Sequence, residues 1–236
     1  MTQSFKEFFQ LFLERKSFTN NLQLFEKMIK QLKSQISEMM QFEEGIEFYV
    51  DFDEDHTIRI QFFTIPPKNI PKAHRTDDAI YNPSDQTIYL FLKNIFHDIK
   101  KINPTTIIKS FPPILRDVIF HELTHAHEHI MQEFEDIDKQ PSVAHYTGPE
   151  NEQIRSKGQR YINNLAEMNA YFHQWLSREL QDNRYVRNAI KNNNITVATQ
   201  LIVQRVKKEP HFKNLFEPNK KWFYKTIYTT LDQLMQ

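Results

Sequence analysis

The sequence predicts an α+β fold, mostly helical, with a small antiparallel sheet ahead of one histidine-bearing helix. Apolar residues recur at helical spacing over much of the chain. β-branched and aromatic residues crowd the stretch from 46 to 92, and a proline-opened helical pattern follows it. With only three glycines, Gly45, Gly148 and Gly158, the chain favours long helices over tight glycine turns.

Among the first 44 residues, Phe5, Phe8, Phe9 and Phe12 and then Leu22, Phe25, Met28, Ile29, Leu32 and Ile36 follow a helical period, with Gly45 placed to end the second helix. Residues 1–45 therefore read as a helical cap on a domain of 46–236, the two forming one compact unit. From 46 to 65 the chain reads Ile-Glu-Phe-Tyr-Val, an acidic turn at 51–55, then Thr-Ile-Arg-Ile-Gln-Phe-Phe-Thr-Ile, a hairpin by its β-rich composition. After a prolyl, charged loop at 66–78 comes a second hairpin. Its strands are Ala79-Ile80-Tyr81 and 87–92, joined by the turn Asn82-Pro83-Ser84-Asp85. Three or four antiparallel strands are expected.

Ser110 and the pair Pro112-Pro113 mark the start of a helix over 113–134, because proline's missing N–H costs little in a first turn. The polar segment 135–157 reads as a loop or lid. Further helices are expected over 159–180, 185–191, 195–208 and 220–235.

Composition narrows the function classes. The 236 residues, 39% of them apolar, suffice for a well-packed core. Lys and Arg (30) balance Asp and Glu (30), leaving no global field to draw in nucleic acid or an anionic membrane. The absence of cysteine excludes disulfides, thiolate metal ligands and a cysteine nucleophile. No signal-peptide pattern opens the chain, and no run reaches the roughly 18 apolar residues of a membrane span. A soluble, cytoplasmic protein with no membrane partner is expected.

His121-Glu122-Leu123-Thr124-His125 lies inside the proline-opened helix. Two imidazoles four residues apart share one helical face and can reach a single Zn²⁺, while the carboxylate beside the first can take a proton from a metal-bound water. Leu115, Ile119, Leu123, Ala126 and Ile130 cluster on the opposite side, so the helix can bury one face and turn its histidines to a cleft. The pattern also arises by chance. The competing interpretation is a solvated face of His121, His125, His127, His129 and Glu128 without metal. The start signal, the preceding sheet and the amphipathic split weigh against it.

A catalytic zinc site needs a third protein ligand. His129 lies about 12 Å along the helix from His121, too far when zinc binds nitrogen at about 2 Å. His127 points away from the pair, and both read as surface residues or outer-shell groups. A metzincin would carry a third histidine at position 131, where this chain has Met131. Glu167 is a better candidate. It sits across a helix from the stripe Tyr161, Leu165, Met168, Phe172 and Leu176, in company with Asn163, Ala170, Tyr171 and Gln174, where a small alanine allows close approach to a metal. His145, in His145-Tyr146-Thr147-Gly148-Pro149-Glu150, is a competing ligand.

His121-Glu122-x-x-His125 followed one helix later by Glu167-x-x-Ala170 resembles the gluzincin metallopeptidases, over roughly 79–174. The resemblance implies a zincin-like domain, Zn²⁺ on His121, His125 and Glu167, and hydrolysis of a peptide or protein substrate, with an edge strand near 79–92 to pair with it. The chain departs from the family at Tyr171, where an aspartate would bond a ligand histidine. Asn163, Asn164 or Asp117 can substitute. The His145 segment resembles that of SprT-type proteases, which usually add a cysteine zinc ribbon that this chain lacks. Glu122 is then the general base, and Tyr146, Tyr171, His145 and His173 are candidates to stabilise the oxyanion. Tyr171 is preferred because it shares the Glu167 face one turn on. A zincin-fold binding protein without catalysis is the alternative, against which the intact Glu122 argues. The basic residues Arg184, Arg187, Lys191, Arg205, Lys207, Lys208, Lys220 and Lys221 read as a solvated helical face rather than a nucleic-acid surface.

Overall fold

The structure, a computed structural model, describes residues 17–96, 103–131 and 165–235. Among these, 23–96 and 103–131 belong to one compact unit, and 17–22 and 165–235 to another. The described chain is a mixed α+β protein with more helix than strand. No described helix is long and apolar enough to cross a membrane.

In the first unit, helix α1 (Ser17–Glu38) buries Phe25, Met28, Ile29, Leu32 and Ile36, the positions its 3.6-residue period aligns. Gly45 does not end this helix, contrary to expectation. It introduces strand β1 (Ile46–Asp51) at φ +77°, donating its N–H to the Phe62 carbonyl, and a Cβ there would meet the Phe63 ring at 3.2 Å. Strand β2 (Thr57–Phe63) returns antiparallel, Ile46 opposite Phe62 and Asp51 opposite Thr57. The Asp53 carboxylate closes the turn by accepting the Asp55 and His56 backbone N–H groups at 2.8 and 2.7 Å.

Strands β3 (Ala79–Asn82) and β4 (Thr87–Phe91) form the second antiparallel hairpin. The expected all-antiparallel sheet is corrected here. β4 lies parallel to β2, from Arg59 opposite Thr87 to Phe63 opposite Phe91, so the four-stranded sheet is mixed, in the order β1-β2-β4-β3. The two hairpins meet through their second strands, which run the same way. All five residues of β4 are buried. A strand covered on both faces reads as an unbroken apolar run, and Ile88-Tyr89-Leu90-Phe91-Leu92 carried that signal. On one face Ile70, Tyr89 and Phe91 cluster with Phe63 and Ile80.

Short helices α2 (Leu92–Ile95) and α3 (Pro104–Ser110) follow. Asn103 caps α3 by accepting the Thr106 N–H at 3.2 Å, and Ser110 ends it, its hydroxyl donating to the Ile107 carbonyl at 2.9 Å. Ser110 is therefore not the start signal for the next helix. That helix, α4 (Pro113–Ile130), opens on its prolines as predicted and packs on β3 and β4. The expected extension to 134 and the loop 135–157 lie outside the described residues.

The second unit is helical throughout its described part: α5 (Leu165–Asp182), α6 (Arg184–Lys191), α7 (Ile195–Val206), α8 (Pro210–Lys213) and α9 (Glu217–Met235). Asn183 and Asn194 cap α6 and α7 with their side-chain carbonyls. Phe172, Trp175, Phe212, Trp222 and Phe223 meet edge-to-face or tilted, with centroids 5.3–6.1 Å apart, and form its aromatic core.

Candidate metal centre

Helix α4 buries Leu115, Ile119, Leu123 and Ala126, the face predicted to be apolar. The other side is not a solvated face. Arg116, Asp117, His121, Glu122, Thr124, His125, His127 and Glu128 are buried as well. Thr124 satisfies its hydroxyl by donating to the Phe120 carbonyl one turn back, at 3.1 Å.

His121 and His125 do what their spacing requires. Their Nε2 atoms lie 3.2 Å apart, with ring centroids at 4.9 Å and planes at 77°. So close an approach needs a lone pair on at least one of the two nitrogens, either to accept an N–H from the other or to face a cation. Zinc binds imidazole nitrogen at about 2.0–2.1 Å, so nitrogens 3.2 Å apart subtend about 100° at the ion, close to tetrahedral. The pair therefore fits two positions of one tetrahedral site. Glu122, the carboxylate next in sequence to His121, is buried beside them on the same helix.

The other histidines of α4 are not surface residues, and here too expectation is corrected. His127 is buried between the rings of Phe25 and Phe52, at 5.8 and 5.5 Å. His129 is half-buried, with Nδ1 3.0 Å from the Tyr81 hydroxyl of β3. Burial, with a smaller contribution from the Asp85 charge, holds the Tyr81 phenol well above the ordinary tyrosine range, so it keeps its proton. Asp117, one turn before His121, has a carboxylate oxygen 4.0 Å from the Arg116 guanidinium. Arg116 itself pairs with Glu26 of α1 and covers the Phe120 ring at 5.2 Å.

In the second unit α5 buries Glu167, together with Met168, Phe172 and Leu176 of the predicted apolar stripe. Ala170 is fully buried. Tyr171 is half-buried, and its ring stacks on His211 of α8 at 4.7 Å and 29° and leans on Trp175 at 5.3 Å. Sequence reasoning missed His211, since nothing local links it to Tyr171 forty residues earlier. His173 is buried with Nδ1 3.0 Å from the Asn169 carbonyl of its own helix. Tyr161, Asn163, Asn164, His145 and Tyr146 lie outside the described residues.

The described residues thus include a buried set of donors, His121, His125 and Glu167, of the kinds that can hold a metal ion. Compared with known proteins, the chain matches no family model, no curated protein and no solved structure.

Proposed function

We propose that the protein is a zinc metallopeptidase of gluzincin type, with His121, His125 and Glu167 as metal ligands and Glu122 as general base. The observation that carries this reading is the 3.2 Å separation of the two Nε2 atoms, which matches two ligands of one tetrahedral ion. Two nitrogens and one carboxylate make a three-ligand set that leaves a fourth position for water, and zero cysteine leaves no thiolate to compete.

Bound zinc would supply Lewis acidity at the reacting carbonyl and the water. Glu122 takes the proton of the attacking water and returns it to the leaving amine. The stacked Tyr171 and His211 offer a phenol and an imidazole N–H as candidate oxyanion donors, with Tyr171 preferred as before.

A peptide substrate is favoured by the state of the sheet edges. The β1 edge is closed by α1: the Gln35 side chain bonds the Tyr49 backbone N–H and C=O, and the Gln31 carbonyl accepts the Asp51 N–H at 3.1 Å. The β3 edge is different. The Phe91 N–H donated to the Asp78 carbonyl sets the hydrogen-bonded pairs, so Ala79 and Tyr81 turn their backbone groups away from β4, the side on which an extended substrate would add to the sheet under this reading. The absence of cysteine is compatible with a cytoplasmic setting.

The test is metal analysis of the wild-type protein beside Glu167→Ala, with a proteome-scale comparison of cleavage. The wild type should carry one zinc per chain and cleave peptide bonds, and Glu167→Ala should bind zinc far more weakly. Zinc content near zero in the wild type would overturn the proposal. Unchanged affinity in Glu167→Ala would remove that residue from the ligand set.

A further inference from the structure

We propose that Glu128 is the positioning carboxylate of the histidine pair, holding His125 in the tautomer that keeps its proton on Nδ1 and leaves the Nε2 lone pair for the metal. The inference deepens the metallopeptidase reading and rests on it. Glu128 is 2% exposed, the most deeply buried carboxylate of α4. Its Oε2 lies 3.9 Å from His125 Nδ1, while His125 Nε2 faces His121 Nε2 at 3.2 Å. The two nitrogens of one ring thus face opposite kinds of group: a carboxylate at Nδ1 and the shared metal position at Nε2.

Helix geometry produces this order. Cα–Cβ bonds tilt toward the helix N-terminus, so Glu128 reaches back three residues to His125, and His125 reaches back four to His121. The separation of 3.9 Å is an ion-pair distance, and the oxygen must approach by about 1 Å to accept a hydrogen bond from Nδ1–H. A metal at Nε2 draws electron density from the ring and makes Nδ1–H a stronger donor, which favours that approach. The carboxylate in turn raises the basicity of the ligand nitrogen and fixes the ring plane. The chain thereby supplies, within α4 itself, the partner that the gluzincin resemblance places four residues after the glutamate ligand, where this sequence has Tyr171.

Two measurements test this. In the zinc-loaded wild type, proton–nitrogen NMR of the histidine rings should find His125 protonated at Nδ1 and bound through Nε2. Zinc on Nδ1 would overturn the inference and leave the metallopeptidase reading in place. In a chelator competition with zinc, Glu128→Gln should weaken binding by about 10- to 100-fold, with the metal-free circular dichroism unchanged. Wild-type affinity in a folded Glu128→Gln would overturn it equally. If that variant fails to fold, the wild-type tautomer decides alone. A wild type that binds no zinc sinks both the inference and the reading beneath it.

Discussion

Helices α4 and α6 treat their polar side chains in opposite ways. In α6 the charges of Arg184, Arg187 and Lys191 stand in water while Val186 and Ala189 are buried, the division any soluble amphipathic helix makes. In α4 three carboxylates and three histidines are buried along with the apolar face. Burying ionisable groups costs several kcal/mol per charge unless partners offset it, and leucine or alanine would fill the same space at lower cost. The division in α6 needs no more than stability; under the proposed reading, His121, Glu122, His125 and Glu128 of α4 are kept out of water to hold and serve a metal ion.

The strongest way to break the comparison is Glu122→Gln. We predict unchanged zinc content and a fall in peptide hydrolysis of about 10²- to 10⁴-fold, read from steady-state rates; full turnover would make Glu122 as dispensable as a surface residue. The double variant His125→Leu/Glu128→Leu sharpens it from the side of stability. Measured by urea unfolding with a chelator present, this variant should keep its stability within about 1 kcal/mol or gain some, because apolar side chains replace both members of a buried polar pair. A loss of about 3 kcal/mol or more would show the histidine pair to be a structural element. The smallest effect is expected at Arg187→Ala on α6, within about 0.5 kcal/mol in the same assay and with no change in zinc binding.

Legibility in the sequence followed the range of the interaction. The start of α4 at its prolines, the i, i+4 histidines, the buried stripe of α5 and both hairpins depend on residues within a few positions of one another, and each was readable. Helix α3 was missed because Thr105, Thr106, Ile107 and Ile108 are β-branched and rank low as helix formers, although Asn103 followed by Pro104 supplied a cap and a first residue. The parallel contact of β2 with β4 was missed because turn chemistry specifies each hairpin and says nothing about which strands bring the hairpins together. His127 and His129 were placed at the surface by their polarity. Their partners, Phe25, Phe52 and Tyr81, come from α1, the turn between β1 and β2, and β3, all 48 or more residues away in the chain.

By itself the sequence determined which candidate donors the chain offers: two imidazoles one turn apart on one helix, a carboxylate on the next, and no thiolate anywhere, because residue identity and the helical repeat are local properties. Tertiary structure alone decided that the histidine face is buried, that Glu128 stands behind His125, that Tyr171 stacks on His211, and that α1 closes the β1 edge. Those outcomes depend on which distant surfaces exclude water from which side chains, and no period of 3.6 or 2 residues records that.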